Sequence, residues 1–191
     1  MAYADDRAWE KRNMPILVSA LERLYKGKID MAGLNDDRNH GTDMFWRRSM
    51  GTFRLACRIR KPEFLKYRGD FTIREDRPHT GHTTEIEKIR KKDWADLYVY
   101  GFSDGHQMLH WSIFRMSEFN PEAPFKYMPG FGPRDGQDTV TRIYRIQDQP
   151  KDFLMSVVTP HAESGAFPHA AFESHASRTS HAGYPVSPQA A

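Results

Sequence analysis

Residues 42–60 of this 191-residue chain read TDMFWRRSMGTFRLACRIR and decide its fold. The second half alternates strictly, which predicts a half-buried β-strand over Phe53–Arg60. One face carries Phe53, Leu55, Cys57 and Ile59, and the other carries Arg54, Ala56, Arg58 and Arg60. With Thr42–Arg47 as the first strand and a turn at Arg48–Gly51, the stretch forms a hairpin. Opposed positions in a hairpin sum to a constant, so Asp43 is predicted to face Ala56.

Helices and further strands are predicted on both sides of this hairpin. A first helix is predicted to begin at Pro15 and to end at Gly27, since apolar residues recur there at helical spacing. A polar loop over Asn35–Gly41 then leads into the hairpin. The elements predicted after the hairpin are a strand over Phe71–Arg74, a helix capped by Thr84 and Glu87, strands over Asp96–Phe102 and Met108–Phe114, and edge strands over Thr141–Ile146 and Phe153–Val158.

This order predicts an α/β fold in which a mixed central β-sheet is flanked by helices. Its core reads α-β-β-β-α-β, with an extra hairpin strand. Residues 1–158 are expected to form one domain, and residues 159–191, rich in Ala, Ser, His and Pro, a disordered tail. Cys57 is the sole cysteine, which excludes an internal disulfide and favours a cytoplasmic protein. We expect no membrane association, because no apolar run approaches the ~20 residues that span a bilayer.

Basic charge is concentrated in the first half of the chain. From Arg38 to Lys92 there are 15 Lys or Arg and 7 Asp or Glu, a net of +8, whereas the whole chain carries only +3. Basic side chains in strand register favour a polyanion such as DNA as partner. The alternative is that they solvate an exposed sheet face. The residues expected to bind nucleic acid are Arg47, Arg54, Arg58, Arg60 and Lys61.

The segment from Asp43 to Phe119 resembles the PD-(D/E)xK nuclease-like superfamily, in the form found in phage and mobile-element proteins. The resemblance is in the sequence of elements: a strand with an Asp, a basic strand, a further strand, a helix opening with Thr84-Glu85, and the strand DLYVYGF followed by a hairpin. It implies a restriction-endonuclease-like fold. It also implies phosphodiester hydrolysis of DNA that depends on Mg²⁺ or Mn²⁺, as in an endonuclease or a resolvase-like nuclease.

The resemblance also implies a set of site residues. In that superfamily an Asp and a Glu bind the metal while a Lys activates the attacking water. Asp43 matches the Asp, but Ala56 and Arg58 stand where the Glu and the Lys are expected. Arg58 can neutralise phosphate charge, although a guanidinium cannot act as a base near neutral pH. Glu85, with Lys88 one turn later, is the substitute that we expect, and Asp43 and Glu85 would be the metal ligands.

Several candidates for the site keep a second interpretation. Glu10 or Glu22 of the first helix could add a further metal ligand, or could be an ordinary helix residue. His40 could contact a phosphate or a metal-bound water. His79 and His82 are expected to be structural or exposed rather than a zinc pair. The aromatic residues of the strands are expected to pack in the core, with base stacking as the alternative.

Three functions therefore remain open from the sequence. The first is a metal-dependent nuclease with a variant site. The second is a catalytically inactive nucleic-acid-binding or inhibitory protein on the same scaffold. The third is an interaction protein of a phage or mobile-element assembly, with the basic face meeting an acidic partner. Such nucleases are often dimers, so a homodimer is left open, although the chain has no long heptad repeat.

Overall fold

The predicted hairpin lies at the centre of a six-stranded sheet. The structure is a computed structural model, and it describes residues 3–76, 83–129 and 139–159. The helices and strands in chain order are α1 (Tyr3–Tyr25), β1 (Lys28–Met31), α2 (Leu34–His40), β2 (Met44–Arg48), β3 (Gly51–Arg60), β4 (Asp70–Asp76), α3 (Glu85–Arg90), β5 (Leu97–Ser103), β6 (Met108–Arg115), β7 (Phe125–Tyr127), β8 (Val140–Arg145) and β9 (Leu154–Val158). A 3₁₀ helix over Pro62–Tyr67 joins β3 to β4.

The central sheet is mixed, as the sequence predicts. Its strand order is β1-β2-β3-β5-β6-β9. The β3–β5 pair is parallel, and the other neighbours in this sheet are antiparallel. A parallel pair needs a crossover connection, and here the crossover from β3 to β5 carries the 3₁₀ helix, β4 and α3. The predicted α/β class with a mixed sheet is confirmed.

The hairpin has the predicted register. Met44 pairs with Leu55 and Arg48 with Gly51, so Ser49 and Met50 form the two-residue turn. Continued by one position, this register places Asp43 opposite Ala56. The sheet position that lies opposite Asp43 therefore carries Ala56, which has no side-chain oxygen.

Several elements around the hairpin differ from the prediction. The segment expected to be a third strand is β4, but it lies in a separate three-stranded sheet of order β4-β8-β7, where β8 is the middle strand rather than an edge. The central sheet instead gains β1, a four-residue strand before the hairpin that carries no long alternating pattern. The predicted polar loop contains α2, which ends at Gly41 in the left-handed region with φ +57°. The chain order up to β5 is therefore α1, β1, α2, β2, β3, β4, α3 and β5, which differs from the predicted α-β-β-β-α-β by the added β1 and α2.

Two hydrophobic clusters cover the two faces of the central sheet. Against α1 the cluster includes the buried side chains Leu17, Leu21, Met44, Trp46, Leu55, Ile59, Val99 and Trp111. On the other face the cluster joins α3, the second sheet and the central strands, and includes Ala56, Phe71, Ile73, Ile86, Tyr98, Tyr100, Phe114 and Tyr144. The apolar face predicted for β3 packs against α1, and the strand aromatics are core residues.

Helix α1 begins earlier than predicted. It starts at Tyr3, and Pro15 lies in its interior rather than at its first turn. Proline lacks the N–H that would bond the carbonyl four residues earlier. The helix is supported near this point by Asn13, whose side-chain amide donates to the Trp9 carbonyl (2.9 Å) and whose oxygen accepts from the Ser103 hydroxyl (2.7 Å). The segment before the proline therefore continues the helix.

Some predictions fall on other parts of the chain. His79 and His82 lie outside the described residues, and so does nearly all of the predicted tail over residues 159–191. Within the described residues, no helix is long and apolar enough to span a membrane.

Candidate functional site around Arg58

Arg58 is the centre of a buried polar cluster. It lies in the second half of β3 and is only 8% exposed. Its Nη2 is 3.1 Å from Glu85 Oε1, and its Nε is 3.5 Å from Glu10 Oε1. Its Nη1 donates to the Thr72 hydroxyl of β4 at 3.3 Å. One guanidinium therefore joins α1, α3, β3 and β4.

Electrostatics keep this guanidinium charged. Burial acts to lower the pKa of Arg58, but its interactions with Tyr98, Glu85 and Glu10 outweigh that effect and raise the pKa well above its usual value. A buried charge is stable only when it is paired and hydrogen-bonded. Arg58 meets both conditions, because two carboxylates and a hydroxyl surround it.

Glu85 is committed to arginine partners. It opens α3, just after the Thr84 N-cap whose predicted capping box with Glu87 is present. Glu85 Oε1 lies 3.1 Å from Arg58 Nη2 and 3.4 Å from Arg74 Nε, and Oε2 accepts from the Arg74 backbone N–H at 2.8 Å. Both carboxylate oxygens thus hold β3 and β4 to the start of α3.

Asp43 lies directly before β2 and makes a different contact. Its Oδ2 accepts a hydrogen bond from the Cys57 backbone N–H at 2.7 Å. Burial raises the pKa of Asp43 to about 7, and the nearby carboxylates of Asp37 and Glu10 act in the same direction. Burial also raises the pKa of Glu10, although Arg58 opposes this. Asp43 and Glu10 are therefore neighbouring carboxyl groups, and burial makes the ionisation of each less favourable than in water.

The other helix candidates have separate positions. Glu22 accepts a hydrogen bond from the Ile29 backbone N–H at 2.8 Å, which ties α1 to β1. Lys88 lies on the buried side of α3, and its backbone N–H bonds the Thr84 carbonyl. His40 ends α2, and its Nδ1 is 2.6 Å from Asp93 Oδ1 in a partly exposed pair. Of the two first-helix candidates, Glu10 is the one that joins the Arg58 cluster.

The predicted metal pair was Asp43 and Glu85. Across residues 3–76, 83–129 and 139–159, no three or more His, Cys, Asp or Glu side chains are grouped so as to hold a metal ion. The donor chemistry agrees with this result, because the space between Glu10 and Glu85 contains a guanidinium rather than a set of free oxygens. A divalent cation would have to compete with Arg58 there.

The residues expected to bind nucleic acid all have carboxylate partners. Arg58 is buried, with Glu10 and Glu85 as its partners. The partners of the others are Asp30 for Arg47 (2.6 Å), Asp96 and Asp93 for Arg54 (3.2 and 3.9 Å), and Asp6 for both Arg60 (3.4 Å) and Lys61 (3.8 Å).

Sequence reasoning missed these acidic partners and the role of β4. Asp6, Glu10, Asp30, Asp93 and Asp96 all lie outside the basic segment over residues 38–92. The net of −5 that the rest of the chain carries was the available signal, because a folded chain tends to bring opposite charges together. Thr72 and Arg74, two residues apart on β4, share a strand face and both serve the cluster.

Comparisons of the chain with protein-family models, with curated proteins and with solved structures found no match.

Proposed function

We propose that this chain is a nuclease-like protein that binds DNA without hydrolysing it, and that Arg58 takes the place of the catalytic cation. On the basis of the resemblance described above, we propose that the chain belongs to the PD-(D/E)xK superfamily and has a restriction-endonuclease-like fold. Both proposals are supported by the mixed central sheet, in which α3 lies in the crossover from β3 to the parallel β5, and by the register that sets Asp43 opposite Ala56.

The observation that carries the proposal is the pairing of Arg58 with Glu10 and Glu85. Mg²⁺ needs several oxygen ligands in a near-octahedral arrangement. Here a permanent positive charge already neutralises two carboxylates, and Ala56 has no oxygen to offer. Arginine cannot accept a proton near neutral pH, so it cannot replace the lysine that would activate water. The cluster therefore supports a folded scaffold better than it supports hydrolysis.

DNA binding is supported by the charge of the hairpin region. Residues 38–92 carry a net of +8. The ion pairs of Arg47 and Arg54 are partly exposed, with 61% and 32% of those side chains accessible to solvent. Exposed pairs contribute little to stability, so phosphates can replace the carboxylate partners at small cost. Phosphate contacts made in this way would release counterions and make binding sensitive to salt.

One observation favours a second function, a hydrolase with a variant site. The pKa of Asp43 is raised to about 7, which is the range in which a carboxyl group can transfer protons near neutral pH. Glu10 is a neighbour with a pKa raised in the same direction. If the chain is such a hydrolase, Asp43 is required for cleavage.

The test is a paired measurement of binding and cleavage on single-stranded, linear duplex and branched DNA, with and without Mg²⁺ or Mn²⁺. We expect binding that weakens steeply with salt, and no cleavage product. Metal-dependent cleavage that Asp43→Ala abolishes, and that the matched control Asp152→Ala retains, would favour the hydrolase. Asp152 is an exposed residue before β9 and carries the same charge. If the chain binds no DNA even at low salt, the function that remains is that of an interaction protein with an acidic partner.

A further inference from the structure

The end of β3 and the segment after it form a basic surface that we call the β3-end surface. It consists of Arg60, Lys61, Lys66 and Arg68. Lys66 and Arg68 are exposed, as is Tyr67 between them. The guanidinium of Arg60 lies over the Phe64 ring, 5.0 Å from its centroid. Glu63 is the acidic residue within this segment.

One carboxylate of α1 bridges two cations of this surface. Asp6 Oδ2 is 3.4 Å from Arg60 Nη1, and Asp6 Oδ1 is 3.8 Å from Lys61 Nζ. Two oxygens of one anionic group therefore contact two neighbouring basic side chains. A DNA phosphate would use its oxygens in the same way.

The Asp6 contact is of a kind that can be exchanged. Nearly half of the Asp6 side chain is exposed, and at such positions an ion pair contributes little to stability. After Asp6, α1 is anchored by Trp9, which packs beside the turn at Gly105, by Glu10, which pairs with Arg58, and by the buried Asn13. Between Asn13 and the rest of the helix, Pro15 removes one backbone hydrogen bond. Asp6 thus lies before the residues that anchor α1 to the rest of the domain.

We propose that the first turn of α1 is an autoinhibitory cover, in which Asp6 competes with a nucleic-acid phosphate for Arg60 and Lys61. The inference rests on the proposed nucleic-acid binding and adds its regulation. The occupant is the phosphate backbone, because two adjacent cations contacting one anion form a site for charge rather than for a base edge.

The experiment compares wild type, Asp6→Ala and Glu118→Ala in fluorescence anisotropy with labelled single-stranded and duplex DNA over a range of salt. Glu118 follows β6, whose end at Arg115 pairs with Leu97, whereas Arg60 pairs with Phe102 at the opposite end of β5. The two variants therefore remove one negative charge at opposite ends of the sheet. We expect Asp6→Ala to bind about tenfold more tightly at low salt, with a log–log salt slope steeper by about 1–2, since each phosphate contact adds ~0.9.

Each outcome decides the inference. A gain confined to Asp6→Ala, and lost again in Asp6→Ala/Lys61→Ala, supports the cover. DNA binding by Asp6→Ala, with none by wild type, supports a cover that blocks DNA binding fully in the wild-type protein. Equal gains in Asp6→Ala and Glu118→Ala overturn the cover, because overall charge then explains them. Binding by wild type that Asp6→Ala leaves unchanged also overturns the cover while the proposed function stands. No binding by any variant overturns both.

Discussion

Arg58 and Arg54 lie four residues apart on β3, and both pair with carboxylates from other elements, yet their surroundings differ. The Arg58 side chain is 10% exposed and contacts Glu10 and Glu85, whereas the Arg54 side chain is 32% exposed and contacts Asp96 and Asp93. Charges in a low-dielectric interior depend strongly on their partners, and charges at the surface are screened by water. The same residue type on one strand is therefore an internal counterion at one position and an exchangeable surface charge at the other.

The largest effect is expected from removing the buried cation. Arg58→Met keeps an unbranched side chain but leaves Glu10 and Glu85 without their shared partner. Breaking a buried pair from one side leaves an uncompensated charge, so the free energy of unfolding should fall by about 3–5 kcal/mol. Urea unfolding followed by circular dichroism measures this change. A loss below about 1 kcal/mol would contradict the assigned role of Arg58.

The next effect is expected from the proton on Asp43, and it is confined to one pH window. Burial raises the pKa of Asp43 to about 7, so between pH ~4 and ~7 the folded state binds more protons than the unfolded state. Stability should therefore fall as pH rises through this window, by at most about 1.4 kcal/mol per pH unit for one proton. Thermal unfolding of wild type and Asp43→Asn over this pH range measures the effect. The account predicts a flatter profile for Asp43→Asn, and identical profiles would refute it.

The smallest effect is expected at the exposed end of the strand. Arg54→Met removes the contacts with Asp96 and Asp93 and should reduce the free energy of unfolding by no more than about 1 kcal/mol. The same variant should lower the salt slope of DNA binding by ~0.9 if Arg54 contacts one phosphate. Urea unfolding and anisotropy measure the two parts. A loss of stability as large as that of Arg58→Met would remove the distinction between the two arginines.

Local features of the fold could be predicted because neighbouring residues determine them. The turn at Ser49 and Met50 predicted the hairpin register, because the numbers of paired residues in a hairpin sum to a constant. The spacing of Thr84 and Glu87 predicted the start of α3. β1 was missed because four residues carry too little alternation to be recognised. The sheet to which β4 belongs depends on its pairing with β8, which is distant in the sequence.

The candidate site could be predicted only in part for a related reason. Asp43, Arg58 and Glu85 were identified as the relevant polar residues, and Glu10 as an additional one. Their pairing could not be predicted, because Asp6 lies 54 positions from Arg60 and Glu85 lies 27 positions from Arg58. The sequence shows how much charge a segment carries, and tertiary packing decides which charges neutralise one another.

If the Arg58 guanidinium takes the place of a metal cation, a divalent metal should bind between Glu10 and Glu85 only after that guanidinium is removed. The thermal midpoint of wild type, Arg58→Met and the control Arg54→Met is followed as Mn²⁺ is added. Ligands that bind only the folded state raise its stability. We expect Mn²⁺ to raise the midpoint of Arg58→Met, where Glu10 and Glu85 have lost the cation between them, and to leave wild type and Arg54→Met unchanged. An equal rise in wild type would contradict it.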